Sequence, residues 1–578
     1  MTRIGARVLA SCSLVLACSS GGSGGASSTT NGGSSTNAGT SSTSGGTSSN
    51  AGSSAAQGGG VAQGGSAGTS SAQAGSPSAG SGGTSDSNGG PTVAEFVGLN
   101  AFIDDDLDKL AAIGNVREYH DWTWNDGNGA QGYPGYPNNA LEFSLFNGFW
   151  DFDAYYSGLK TRNVIAFPCV EGSVDYLNSA MPPVASGADA TDPASYVAHA
   201  SFMYQYAARY GSTMVDASKL KLDAGQTVVS GMNVLRYYED GNEPDATWVH
   251  TDGSFLFTPE MTAAMASADY DGNQGKLGDG FGVKAADPSA KLVLAGLAGA
   301  GTKDYASNVE AYLDGMRAWA TAHRAGSFPA DVINIHDYCF GPDPFGTANP
   351  KPGLSPEDCK LQALMASIVS YRDQNLAGKE LWLTEFGYDT NAESRLRAPA
   401  IGGNSAEVVQ GQWLVRSFIA LMAAGLDRAF VFVSRDDCTG DDTKCPNNAV
   451  QFSTSGVMTE KGSETPKTAF YFLAAFRARL GAMRYQGSAD SGSANVSIAK
   501  FYDSTADQGA FVVWAPTSTA QVVKGYALAV SASLATATLV TLADQTQTGN
   551  ETPLTATQGS VMLDVSETPS IVLVKGKP

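Results

Sequence analysis

The sequence predicts an α/β protein: a (β/α)8 barrel of the TIM type followed by a small C-terminal β-sandwich. Three observations carry this reading. From Pro91 onward, eight short apolar segments alternate with longer helical stretches, the pattern of parallel strands joined by crossover helices. No Gly-x-Gly-x-x-Gly turn joins the first of these strands to its helix, so the alternative, an open doubly wound sheet, lacks its fingerprint. After Leu480 the helical pattern stops, and short alternating strands separated by Gly, Ser, Asp and Thr take over.

The first ninety residues belong to no core. Met1 to Arg7 is a short cationic start, and Val8 to Ala17 is an apolar run about half as long as a membrane-spanning helix requires, which reads as an export signal. It ends in Val15-Leu16-Ala17-Cys18, similar to the bacterial lipobox, in which the cysteine is acylated and becomes the mature amino terminus. Residues 1–18 are therefore expected to be a lipoprotein signal peptide with Cys18 the lipidated residue; an ordinary cleaved signal is the alternative. Residues 19–90 are nearly all Ser, Gly, Ala, Thr, Asn and Gln, too poor in apolar surface to offset the entropy of ordering. They are expected to be a disordered tether with a reach of about 45–50 Å.

Strands are expected at Phe96 to Phe102, Asn115 to Tyr119, Val164 to Val170, Val234 to Tyr238, Lys291 to Leu297, Val332 to His336, Leu381 to Glu385 and Ala429 to Val433. Helices are expected at Leu107 to Ile113, Tyr196 to Tyr210, Pro259 to Tyr270, Tyr305 to His323, Pro356 to Asn375, Ala406 to Ala424 and Pro466 to Leu480. The stretch from Tyr305 shows why: Val309, Tyr312, Leu313, Met316 and Trp319 recur at three and four, one apolar stripe on a helix. Residues 91–482 thus form the barrel. In 483–578 the sandwich strands are Val496 to Tyr502, Ala510 to Ala515, Val522 to Val530, Ala537 to Leu542, Ser560 to Val565 and Ser570 to Lys575, with Trp514 read as core.

A formal charge of −21 argues against nucleic acid and anionic membrane surfaces as partners. Of seven cysteines, Cys12 leaves with the signal and Cys18 is committed to lipid. In an oxidising compartment Cys438 and Cys445 would close a small polar loop and Cys339 with Cys359 would staple a second, although sequence alone does not fix connectivity. A zinc site is the rival explanation, but no Cys-x-x-Cys pair occurs and only five His are present, so no metal and no cofactor is expected. Asp269-Tyr-Asp271-Gly-Asn273 lacks the spacing and closing Glu of a calcium loop and reads as a polar turn.

In such a barrel the site is assembled at the carboxyl ends of the strands. The second strand delivers Arg117, Tyr119, His120, Asp121 and Trp122; the third Glu171; the fourth Asn242 and Glu243; the sixth His336, Asp337 and Tyr338; the seventh Glu385; the eighth Arg435 and Asp436. Two carboxylates at the ends of different buried strands are the minimum equipment for splitting a glycosidic bond.

Asn242-Glu243-Pro244 and Thr384-Glu385-Phe386-Gly387, with Arg117 on strand two and His336-Asp337-Tyr338 on strand six, resemble the motifs of clan A glycoside hydrolases over about Pro91 to Gly481. The resemblance implies a retaining β-glycoside hydrolase, with Glu243 the acid/base and Glu385 the nucleophile. Asn242 is implied to bind the substrate 2-hydroxyl. A nucleophile must be ionised, and Arg117 with the Tyr338 hydroxyl would hold Glu385 so; the acid must carry a proton, which a charge on Glu385 favours.

Substrate contacts are further expected from His120, Trp122, Trp248, His336, Arg435 and Asp436, with Trp124, Tyr133 and Tyr136 as cleft aromatics; ordinary loop packing is the alternative for the tryptophans and tyrosines, and a core histidine bonded to backbone for His336. Many clan members place a Trp at the end of strand eight, where this chain reads Val433-Ser434-Arg435-Asp436-Asp437, so Arg435 or Asp436 is expected to grip a sugar hydroxyl or anionic substituent. Glu239 and Asp240 sit too early in the motif for catalysis. The expected partner is a polysaccharide or oligosaccharide, the expected state a monomer, and the expected location an exported protein lipid-anchored to the bacterial outer membrane or cell surface. Transglycosylation on the same site, or a non-catalytic carbohydrate-binding lipoprotein, are the alternatives.

Overall fold

The computed structural model describes residues 90–125, 141, 143, 150–171, 183–184, 187–341, 351–437 and 451–578. Eight strands, β1 (Val97–Ala101), β2 (Asn115–Asp121), β3 (Ala166–Glu171), β4 (Tyr237–Glu239), β5 (Lys291–Val293), β6 (Val332–His336), β7 (Glu380–Phe386) and β8 (Arg428–Val431), close into a parallel barrel in sequence order. β1 completes it by pairing with both β2 and β8.

Helices Leu107–Ile113, Phe152–Thr161, Val197–Tyr210, Pro259–Asp271, Tyr305–His323, Leu361–Asn375, Ala406–Ala424 and Thr468–Leu480 lie outside the barrel, one after each strand. Their ends follow capping chemistry. Thr258, Asp304 and Ser405 accept the first-turn N–H groups of their helices, while Gly272 and Gly425 close two of them in the left-handed conformation. The stripe Val309, Tyr312, Leu313, Met316 and Trp319 is buried. No helix among the described residues is long and apolar enough to cross a membrane.

The barrel interior is layered, and the layering positions the site. Phe167, Tyr237, Val293, Val332, Trp382 and Phe430 form a dry plug. Gly98 on β1 is needed there, because a Cβ would meet the Phe430 ring at 2.2 Å. Two residues further along the strands the inward positions become Asn100, Arg117, Cys169, Glu239, Asn334 and Thr384, all fully buried. This polar layer rests on the plug and forms the floor of the carboxyl-end cleft.

The sandwich strands are β9 (Arg484–Ser488), β10 (Ser497–Asp503), β11 (Gln508–Trp514), β12 (Val522–Ala529), β13 (Thr536–Thr541), β14 (Asn550–Thr555), β15 (Ser560–Ser566) and β16 (Ser570–Lys575). They form a six-stranded sheet, β14-β13-β16-β11-β10-β9, and a two-stranded one, β12-β15. β11 is buried on both faces. Phe511 and Val513 enter the sandwich core, while Ala510, Val512 and Trp514 join the core shared with the barrel. The Trp514 indole N–H donates to Glu357 at 2.8 Å, and Glu357 is held by Arg416 of the barrel. Trp514 is therefore a joint between the two parts.

The helix Phe152–Thr161 and strands β9 and β14 were not expected from sequence, and the helix expected from Pro356 begins at Leu361. Cys339 and Cys359 form a disulfide. Cys18, Cys438 and Cys445 lie outside the described residues.

Candidate active site

Both carboxylates are delivered by local irregularities at strand ends. After β4 the chain turns through Gly241 (φ 126°) and Glu243 (φ 43°), a conformation that costs a non-glycine residue energy. Asn242 bridges to Gly296, and the Glu243 N–H donates to the Gly296 carbonyl at 3.0 Å. Gly296 itself has no room for a side chain: a Cβ would lie 2.1 Å from His336 Nε2. On the other side, the pairing of β6 with β7 shifts at Ile335/His336, and that of β7 with β8 between Leu383 and Phe386. The shift lets consecutive residues Thr384 and Glu385 both address the interior, which a regular strand forbids.

Arg117 organises the floor. Its Nε and Nη2 bind Glu239 at 2.6 and 2.9 Å, Nη1 binds Asn100 at 2.9 Å and Glu385 at 2.8 Å, and Nη2 also reaches Asn242 at 2.9 Å and the Cys169 sulfur at 3.1 Å. Glu385 further accepts the hydroxyls of Tyr119 and, at 2.8 Å, Tyr338. Burial raises its carboxyl, but His336, Arg117 and the two hydroxyls together outweigh burial and leave it below the usual carboxylate range.

His336 Nδ1 lies 3.1 Å from Glu243 Oε1 and 3.5 Å from Glu385 Oε1. One atom from each of Glu243, His336 and Glu385 can be chosen so that all lie within 4.8 Å of one another. Among the described residues this is the one group with the proximity of a metal site. We assign no cation to it, because Glu385 is already held by Arg117 and two hydroxyls.

Tyr338, Phe452 and Phe432 form an aromatic wall, with ring centroids 4.8 Å apart for Tyr338–Phe452 and 5.5 Å for Phe432–Phe452. Phe452 is held at φ 74°, and the buried Asp389 accepts its N–H at 3.0 Å. Neither phenylalanine was picked out from sequence, since Phe432 reads as strand interior and Phe452 as loop.

Arg117, Asn242, Glu243, His336, Tyr338 and Glu385 converge on one cleft. His120 does not. Side chains alternate along β2, so Arg117 and Tyr119 face inward while Glu118 and His120 face the helix layer. There the buried His120 meets Asn125 at 2.7 Å and the rings of Phe152 and Tyr206 at 4.9 and 4.8 Å.

Arg435 and Asp436 are likewise engaged elsewhere. Arg435 is paired with Asp104 and Asp105, each at 2.7 Å, and Asp436 with Lys467 at 2.6 Å. Burial lifts Asp105 and Asp436 to about 6 in spite of these partners. Trp248 is half-buried on the loop beyond Glu243, and Trp124 packs on Trp150 at 4.9 Å. The side chains of Asp121, Trp122 and Glu171, and all of Tyr133 and Tyr136, lie outside the described residues.

Tyr119 and Glu239 bear directly on the site although the motif assigns Tyr119 no role and places Glu239 too early for catalysis. Period two on β2 and β4 marks both as inward.

No family model matches the sequence, and no curated protein matches it by sequence. By structure the chain is similar to a family 39 glycoside hydrolase from the gut symbiont Bacteroides cellulosilyticus WH2, with a TM-score of 0.52 and 15% identity, covering 84% of this chain and 82% of that one. It is also similar to a glucosidase from Croceicoccus marinus, with a TM-score of 0.51 and 13% identity, covering 84% of this chain and 97% of that one. At such identities the likeness concerns the fold, a (β/α)8 barrel carrying a C-terminal β-domain.

Proposed function

We propose that this protein is a retaining β-glycoside hydrolase acting on a polysaccharide or its oligosaccharides. The observation that supports it most is the pair itself: oxygens of Glu243 and Glu385 lie within 4.8 Å across one cleft. Inverting enzymes hold their carboxyl groups about 6.5–9.5 Å apart to admit a water, whereas retaining ones hold them about 5–5.5 Å apart so that one attacks directly. Glu385, kept ionised by Arg117 and the two tyrosines, attacks the anomeric carbon as Glu243 gives its proton to the leaving oxygen. Glu243 then takes a proton from the water that releases the sugar. Asn242, whose side-chain oxygen accepts from Arg117, would hold the neighbouring hydroxyl, and the Tyr338–Phe452–Phe432 wall would offer apolar faces to a pyranose ring.

The full chain is to be screened against β-glucans, mannans, xylans and galactans with product sizing. Glu243→Gln and Glu385→Gln are each expected to lower turnover by roughly a thousandfold or more with folding intact; near-full activity in either sinks the assignment. With azide and an activated aryl glycoside, Glu385→Ala is expected to yield a glycosyl azide of inverted configuration and Glu243→Ala one of retained configuration. Exchange of the two outcomes reverses the roles.

We further propose that Cys18 anchors the enzyme by lipid to the outer membrane or cell surface, with residues 19–90 as tether. The lipobox-like Val15-Leu16-Ala17-Cys18 supports this. Continued membrane fractionation of Cys18→Ala argues against it.

A further inference from the structure

A carboxylate only accepts hydrogen bonds, and this fixes the sense of every bond in the floor of the site. Glu239 takes Arg117 Nε on one oxygen and Nη2 on the other. The Asn334 atom that meets Glu239 Oε1, at 2.8 Å, is therefore the amide nitrogen, which turns the amide oxygen toward Thr384. Thr384 donates its hydroxyl hydrogen to that oxygen at 2.8 Å. Its own oxygen then meets His336 Nε2, at 3.0 Å, as an acceptor, so Nε2 carries a hydrogen. The other ring nitrogen, Nδ1, faces both Glu243 and Glu385. Glu239, Asn334, Thr384 and His336 are each at most 2% exposed, which keeps water from competing for these bonds.

We propose that Glu239, Asn334 and Thr384 are positioning residues: a directed hydrogen-bond chain that fixes the His336 tautomer and presents Nδ1 to the two carboxylates. The proposal rests on the roles assigned above to Glu243 and Glu385. Through Arg117 the same Glu239 also braces Glu385, so one buried carboxylate orients both halves of the reaction. When Nδ1 carries a proton it donates to the Glu243 carboxylate that remains after the leaving oxygen has been protonated. When it does not, it accepts from the protonated Glu243 carboxyl. No covalent bond to His336 forms or breaks. The charged groups facing the ring are Glu385, Glu243 and Arg117, and the Tyr305 hydroxyl holds the His336 carbonyl at 2.5 Å. Burial and Arg117 disfavour the imidazolium, but the two carboxylates outweigh them and raise its midpoint.

The test is nitrogen NMR of the full chain labelled with 15N-histidine, with the His336 signals identified by their loss in His336→Gln. Above its titration, His336 is expected to carry hydrogen on Nε2 with Nδ1 bare; a neutral Nδ1–H form overturns the proposal. Thr384→Val keeps the shape and removes the acceptor. It is expected to lower the His336 midpoint by about one pH unit, because the charged ring donates to the hydroxyl more strongly than the neutral ring does and so loses more. The alkaline limb of kcat/KM on an aryl glycoside is expected to follow, with KM little changed, and Thr384→Ser to restore both. An unmoved midpoint in a folded Thr384→Val overturns the chain; if that variant does not fold, the wild-type tautomer decides. Because the NMR readout needs no turnover, Nε2–H in a protein without glycosidase activity supports the chain and removes the proposed function instead.

Discussion

Arg117 is buried with its charge facing two carboxylates, Glu239 and Glu385, and this makes the Glu385 hydroxyl donors separable from the ion pair. Tyr338→Phe or Tyr119→Phe removes one donor to the ionised form and leaves Arg117 in place, so the Glu385 carboxyl rises. On the proposed mechanism the group must be ionised to attack, and activity is then expected to be lost earlier as pH falls. Each substitution is expected to move the acidic limb of kcat/KM up by about one pH unit, read from a pH–rate profile; an unmoved limb in both denies them this role. Arg117, Glu243, His336 and Glu385 are legible in sequence because each ends or interrupts an apolar run with a charge or an imidazole. Tyr119 and Glu239 are less so. An aromatic residue in a strand reads as packing, and Glu239 acts through Arg117, whose reach across the barrel no linear pattern displays.

At the scale of elements, inward or outward direction decides what a charged strand-end residue does. Arg435 lies just beyond β8 and looks from sequence like a sugar contact, yet its fork is taken by Asp104 and Asp105. Arg435→Met leaves Asp105 buried without its cation. It is expected to cost roughly 3–5 kcal/mol, measured as a lower melting temperature, with KM unchanged. A raised KM at unchanged stability restores Arg435 to the substrate.

The helix Phe152–Thr161 carries its apolar face at Phe152, Tyr155, Tyr156 and Leu159, a helical spacing. It escapes the sequence pattern because Gly158 interrupts it and a turn-rich stretch precedes it. Gly158 has a reason in packing: a Cβ there would come within 2.5 Å of Leu107 Cδ1. Strand β14 escaped for the opposite reason, since it is an exposed edge bearing Pro553 and has no apolar alternation to read.

At the scale of the whole molecule, barrel and sandwich share one apolar core, so they are expected to unfold together. Phe501, fully buried at the joint and edge-on to Phe476 of the last barrel helix, is a direct probe. Phe501→Ala is expected to cost about 3–5 kcal/mol while calorimetry still shows one transition; two separated transitions mean the joint is weaker than its packing implies. That core places the floor of polar residues beneath a single cleft, and what the cleft does with its two carboxylates is the central claim. The most direct measurement is the anomeric configuration of the first product released by the wild-type chain from a cleaved β-glycoside, followed by proton NMR before mutarotation. Carboxylate oxygens within 4.8 Å predict a β-configured product, with retention through attack by Glu385. An α-configured first product contradicts the account, because it requires a water where Glu385 is placed to react.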